Sequence, residues 1–297
     1  MKRNLPIART AFGAGAVAAL TLLAGAAQAS MGDRDTSRTI TFGGHCNRCE
    51  LSGRKLIGAS FTGAHFEGST LIGADLRGAS LIASNFNKSD FSRADLRGAE
   101  LMGSSFIGAQ FVSARMQGVE APAGQFSKAN LSGANLSDGS LAMAFFVSAI
   151  LVRTDFSDAE LTRANFSRAD GTRAIFKEAS LQMAIFSGGK FTGANFRNAD
   201  LSRASLKHGY FGNADFAGAD LSHADIRGVD LSSARHLTQG QISEACSDAH
   251  TRLPRGLKGK QCSMRILMTP RAHPAPPAPP VPPMPPKSKY IVATEAH

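Results

Sequence analysis

A five-residue lattice runs unbroken from Leu51 to Leu231 and leaves few folds open to the chain. Of the 37 positions taken every fifth residue in that span, 33 are Leu or Phe, the exceptions being Met116, Ala121, Gly171 and Ile226. Two residues before each lies a small side chain, Ala in 24 of the 37 cases, with Arg54 the bulky misfit. A period of five matches neither the ~3.6-residue turn of an amphipathic helix nor the ~2-residue alternation of a strand. It belongs instead to an architectural repeat, in which each unit buries its apolar side against the next.

Units such as Ala74-Asp75-Leu76-Arg77-Gly78, Ala94-Asp95-Leu96-Arg97-Gly98 and Ala194-Asn195-Phe196-Arg197-Asn198 resemble the A(D/N)LXX unit of the pentapeptide-repeat family, over about 185 of the 297 residues. The resemblance implies an all-β fold: a right-handed quadrilateral parallel β-helix of about nine coils, four units to a coil. The central Leu or Phe and the small residue two before it would point inward. Such a coil stacks positions 20 apart, and the sequence is consistent with that. Phe66, Phe86, Phe106, Phe126, Phe146, Phe166 and Phe186 fall on one side; Leu81, Leu101, Leu141, Leu161, Leu181, Leu201 and Leu221 fall on the next. A 15-residue coil would scatter the Phe ladder. At ~4.8 Å per coil the rod is about 45 Å long. Gly171, and Gly139, Gly189 and Gly209 at inner sites, suggest local thinning or bends. Pro122, the lone Pro of the repeats, predicts a bulge or distorted corner.

The lattice divides the chain. Residues 1–29 read as a signal peptide: Lys2, Arg3 and Arg9 precede an apolar run, and Ala27-Gln28-Ala29 offers a cleavage site after Ala29. The run is too short to span a bilayer, so a periplasmic or secreted location without stable membrane insertion is expected. Residues 30–50 form an N-terminal cap, in which Thr39 to Phe42 predicts a short strand, and 51–235 the repeats. Residues 236–265 form a C-terminal cap, where Thr238 and Gln241 have capping-box spacing for a helix from about Gln239 to Ala245. Residues 266–297 form a Pro-rich tail. Four cysteines suit an oxidising compartment. Given the rod's length and the ~7 Å reach of a disulfide, Cys46 pairs with Cys49 and Cys246 with Cys262.

Charge bounds the function. The chain carries +10, yet residues 50–235 hold 19 Lys/Arg against 18 Asp/Glu. The best-known activity of the resembled family, protection of gyrase by mimicking duplex DNA, needs an acidic surface; a near-neutral exported rod suits it poorly and makes it the weakest reading. Nucleic-acid binding by the rod is not expected, for want of a basic stripe with interleaved aromatics. The tail, with 8 Lys/Arg against 3 Asp/Glu over 236–297, is a candidate for weak contact with anionic surfaces, though a solvated tail is the plainer account.

Candidate chemistry is sparse. His45-Cys46-Asn47-Arg48-Cys49 offers either an end staple or a metal or thiol-redox site using His45, Cys46 and Cys49; a structural zinc site wants a fourth ligand, and the staple is preferred. Arg153, Arg163, Arg168, Arg173 and Arg203 lie among Asp155, Asp158, Glu160, Asp170 and Glu178, which reads as paired surface charge. No catalytic constellation and no cofactor site is apparent. Phe145, Ile150, Ile175 and Ile185 stand just before the core position, where the resembled family usually carries Asp or Asn, and with Val147 and Val152 they concentrate apolar character in the middle coils. Exposed apolar clusters mark partner sites; the alternative is the ordinary sheet preference of β-branched residues. The resulting expectation is an exported, non-enzymatic scaffold that binds a protein partner through its rod, with a metal or redox protein as the alternative.

Overall fold

The structure is a computed structural model, and it describes residues 41–262. The predicted signal peptide, residues 30–40 of the N-terminal cap and the Pro-rich tail lie outside the described residues. Parallel bridges join each residue before a core position to its equivalent 20 residues on, from His45–His65 through Asp215–Arg235. Each 20-residue coil contains four two-residue turns, so the coil has four faces. Face one is centred on Leu51, Leu71 and Phe91; face two on Leu56 and Leu76; face three on Phe61 and Leu81; face four on Phe66 and Phe86. Each corner takes the two turn residues that follow a centre, so that Ser52 and Gly53 lie between faces one and two.

The core follows from this geometry. Phe86, Phe106, Phe126, Phe146, Phe166 and Phe186 on face four are fully buried. Successive rings stack at 5.9, 5.2, 5.2, 5.0 and 5.0 Å. Each buried side chain contributes roughly 1.5–3 kcal/mol before entropy is subtracted. Where Ser or Thr takes the inner small position its hydroxyl is spent on the preceding coil: Ser89 Oγ donates to Phe66 O at 2.7 Å and Thr154 Oγ1 to Leu131 O at 2.8 Å. Gly171 does not leave the core thin. A Cβ there would collide with the ring of Phe191, which fills the missing centre from the next coil.

Backbone bonding explains the repeat's composition. Phe126 N–H donates to Phe145 O (2.7 Å), Lys128 to Val147 O (2.9 Å), Ala129 to Phe126 O (3.1 Å) and Asn130 to Ala109 O (2.9 Å). From Phe61 to Phe211 this pattern leaves one N–H per repeat without a backbone acceptor, that of the first turn residue. Where an Asp or Asn stands two residues earlier it accepts this N–H, as Asn135 Oδ1 does from Ser137 (2.9 Å) and Asp155 Oδ1 from Ser157 (2.9 Å). The same vacancy explains Pro122. It occupies a first turn position, where no ladder N–H is needed and a turn of this kind favours Pro. Ladder bonds continue through it, with Gly103 N–H on Pro122 O at 3.1 Å, so the predicted bulge is absent. From Gly53 to Gly228 the second turn residue has φ near +60°, as in Gly133 (66°) and Lys128 (59°). Glycine fits there without strain, and other residues cost about 1 kcal/mol.

The ladder extends beyond the predicted repeats. Cys46 N–H donates to His65 O (2.8 Å), and Cys46 and Cys49 take the core and small inner positions of the first coil, bonded to each other. Of the predicted Thr39–Phe42 strand, Thr41 bridges Ser60 and the Phe42 ring stacks on Phe61 at 4.6 Å. At the other end α1 (Gln239–Glu244) begins with a full capping box between Thr238 and Gln241. Ile242 is buried, and Gln241 Nε2 donates to Phe216 O (2.9 Å) and Ala219 O (2.8 Å). Cys246 bridges Asp225 and is bonded to Cys262, so this segment extends the ladder past the last coil.

Candidate interaction surface

The six apolar candidates do not form one patch. Phe145 lies on face four and Ile150 on face one, with Val147 on the corner between them and Val152 on the next corner, so these four follow one another around a single coil. Ile185 is on face four, but Asn165 separates it from Phe145. Ile175 is half-buried on face two between Asp155 and Asn195, apart from the rest.

The structure adds residues that the position before the core could not reveal. Met143, 49% exposed, sits on the corner between faces three and four beside Phe145, which is 37% exposed. Along that corner Ile82, Met102, Pro122 and Ala142 stack in successive coils, each carbonyl accepting from the second turn residue of the coil before. The surface is thus an L: an axial stripe from Ile82 to Ala142 that meets a girdle from Met143 through Phe145, Val147 and Ile150 to Val152. The girdle gives up hydrogen bonds. Phe145 and Ile150 cannot accept the N–H of Val147 and Val152 as Asp or Asn would.

Charge is distributed differently from the expectation. Among the described residues, Arg153, Arg163, Arg168, Arg173 and Arg203 make no ion pair. The reason is position. Arg77, Arg97 and Arg227 are first turn residues and pair with Asp75, Asp95 and Asp225 of their own repeats at 2.7 Å. The five unpaired arginines are second turn residues, which point off the corner and away from those carboxylates. Burial pushes Asp225 up, but bonds from Arg227 and Lys207 outweigh it and hold the carboxyl at about 2. Asp138, Asp158 and Glu178 stack on the corner between faces two and three; local desolvation and then the Glu178 and Asp138 carboxylates push Asp158 up. With Glu100, Glu120, Glu160, Asp200 and Asp220 on face three, acid gathers on one side, bordered by Arg97, Lys177 and Arg197 and by Arg163 and Arg203.

At the N-terminal end the candidate ligands are not brought together. His45 faces outward and stacks on His65 at 4.5 Å, whereas Cys46 and Cys49 pack against the core as a disulfide. Among the described residues no three His, Cys, Asp or Glu side chains gather as a metal site, and no helix is long and apolar enough to cross a membrane.

A square coil with five-residue faces, an inward Leu or Phe and an Asp/Asn-capped turn defines the pentapeptide-repeat solenoid. The family model of pentapeptide repeats matches eight copies, over residues 45–81, 79–118, 129–168, 149–193 and 194–232, and the chain belongs to that family. Its members fold as right-handed quadrilateral β-helices and are typically structural or interaction proteins. Among solved structures, HetL, involved in heterocyst differentiation regulation in the cyanobacterium Nostoc sp. strain PCC 7120, is 24% identical; the match covers 64% of this chain and 89% of HetL (TM-score 0.36). Full-length QnrB1, a plasmid-mediated fluoroquinolone resistance protein, is 20% identical over 69% of this chain and 94% of its own (TM-score 0.31). Rfr23 from the cyanobacterium Cyanothece 51142 is 22% identical over 48% and 90% (TM-score 0.15). No curated protein matches.

Proposed function

We propose that this protein is an exported, non-enzymatic scaffold of about nine coils, closed at its C-terminal end by α1, that binds a protein partner through the apolar L on its rod. The observation that carries the reading is the uncharged run from Leu141 to Val152, which puts Met143, Phe145 and Ile150 at 49, 37 and 44% exposure on one coil. Turn residues elsewhere on the rod are mostly polar or glycine, and the position before the core is Asp or Asn in 15 of the 37 repeats and polar in most of the others. Here the chain forgoes that hydrogen bond at two successive repeats and keeps large side chains in water instead, a choice that solubility and folding do not require. Export rests on residues 1–29. The rod holds the partner at a fixed place, and no step of bond making or breaking is assigned to it.

The test is a double variant, Met143→Asp with Phe145→Asp, which charges the bend of the L while touching no buried group. A periplasmic partner captured by the wild-type chain should bind the variant at least tenfold more weakly, since a central apolar contact is worth roughly 2 kcal/mol or more. Undiminished binding would move the site elsewhere. A reporter fused to residues 1–35 should reach the periplasm; retention in the cytosol would remove export from the account.

A further inference from the structure

The corner between faces four and one is unlike the other three. Its second turn residues run Arg48, Gly68, Lys88, Gly108, Lys128, Ser148, Arg168, Gly188, His208, Gly228. They stack in successive coils through ladder bonds such as Arg48 N–H to Glu67 O (2.9 Å), Lys128 to Val147 O (2.9 Å) and Arg168 to Ser187 O (3.0 Å). Every side chain larger than Ser in the row is a base, and every alternate coil carries Gly or Ser. On the corner between faces one and two the same position carries Arg93, Arg153 and Arg173 among Gly, Ser and Asn213 without alternation, and the other two corners bring in acid, amide and methionine.

The alternation has a geometric meaning. All of these residues hold φ between 54° and 70°, so glycine would suit each of them, and the bases occupy strained backbone. Arg48, Lys88, Arg168 and His208 each lie along the corner over the glycine of the next coil, and Lys128 faces Ser148. A Cβ on Gly68 would stand 3.6 Å from Arg48 Cγ, one on Gly108 3.9 Å from Lys88 Cγ, and one on Gly188 3.7 Å from Arg168 Cγ. The glycines leave notches between successive cationic heads; the first, lined by Asn47, Arg48, Glu67, Gly68 and Lys88, is an open cleft of about 520 Å³. Lys88 is paired with Glu67 at 2.8 Å, while Arg48, Lys128 and Arg168 make no ion pair among the described residues. The diagonally opposite corner carries Asp138, Asp158 and Glu178, so the field points one way across the rod.

We propose that this edge binds a linear acidic polysaccharide that carries one carboxylate or sulfate on every second sugar. Two coils separate neighbouring cations, which puts them about 10 Å apart along a straight edge. Two pyranose rings in extended linkage span a similar distance, so an acid on alternate rings meets a base on alternate coils while the intervening ring lies over a glycine notch. Phosphates of a nucleic-acid duplex recur every ~3.4 Å per strand, out of step with this row. Single exposed ion pairs are weak, but a row engaging one chain adds them without repeating the cost of association. The girdle of the apolar L crosses this edge at Val147, between Lys128 and Arg168, so a polysaccharide lying on the whole row and a protein partner on the girdle meet at that coil.

The experiment measures fluorescence anisotropy of labelled hyaluronan oligosaccharides, which have one carboxylate per disaccharide, with the chain from Ser30 to His297. Salt is kept at about 10 mM, where the Debye length is ~30 Å. Binding is expected, and it should weaken at least tenfold in the triple variant Lys88→Gly, Lys128→Gly, Arg168→Gly. Glycine relieves positive φ at each site, so the variant should fold, as circular dichroism would verify. The control Arg93→Gly, Arg153→Gly, Arg173→Gly removes as much charge from the neighbouring corner and should change binding less than twofold. No hyaluronan binding by the wild-type chain, an equal loss in the control, or equally tight binding of a DNA duplex would each overturn the proposal.

Discussion

Asp and Asn before the core positions earn their frequency in this chain from a single donor. The first turn N–H is the one backbone group the ladder leaves over, and a short side-chain acceptor two residues back satisfies it. The position was legible in the sequence as a preference, but its purpose became visible only with the bonding pattern. It also gives the apolar girdle a measurable cost. Ile150→Asn should restore a bond to Val152 N–H and raise stability by about 1 kcal/mol while weakening partner binding, read from urea unfolding and affinity side by side. A loss of stability would indicate that Ile150 is held by packing rather than kept for a partner. Asp225 makes the complementary case. Its carboxyl is held at about 2, below its ordinary value, so its stabilisation is complete above pH ~4 and lost as the pH falls through ~2. Asp225→Asn should therefore be less stable than wild type by ~2 kcal/mol at neutral pH, and the gap should close between pH ~4 and ~2 in urea titrations.

At the scale of the coil and its ends, sequence and structure part company where a rule was applied without the ladder. Proline was read as a disruption because it lacks an N–H, yet Pro122 stands where that N–H has no ladder partner. Gly171 suggests local thinning or a bend, yet the Phe191 ring fills the space beside it. Cys46-Asn47-Arg48-Cys49 was read as preceding the rod, whereas both cysteines occupy inward positions of a first coil whose His45 already bridges His65. The five-residue count, continued backwards from Leu51, reaches Cys46 and was the available signal. The C-terminal segment acts through one side chain in particular. Gln241 completes the capping box and binds two carbonyls of the preceding coil. Gln241→Ala should speed hydrogen exchange in the last coil, around Ala224 and Asp225, by roughly five- to thirtyfold, as expected for ~1–2 kcal/mol of lost bonding, and leave the coils before Phe166 unchanged. Equal acceleration along the whole rod would show that the end is not an independent unit.

For the molecule as a whole, spacing of 20 was enough to recover the faces, because side chains locked in a narrow core repeat their identity coil after coil. The surface was less legible because net charge averages over sides. A rod of 19 bases and 18 acids is near neutral in total, yet it carries Asp138, Asp158 and Glu178 on one corner and Arg48, Lys88, Lys128 and Arg168 on the opposite one. Reading the two turn positions at the same spacing separates these rows, and it also recovers the Ile82, Met102, Pro122 and Ala142 stripe. Partner binding is proposed for the rod and none of it for the tail. The most direct measurement is capture of a periplasmic partner by the chain from Ser30 to His297, in parallel with a chain ending after Cys262. Retention of the same partner with equal affinity by both is the predicted result. Loss of the partner on truncation would contradict it, placing recognition in the Pro-rich basic tail and leaving the rod as a spacer.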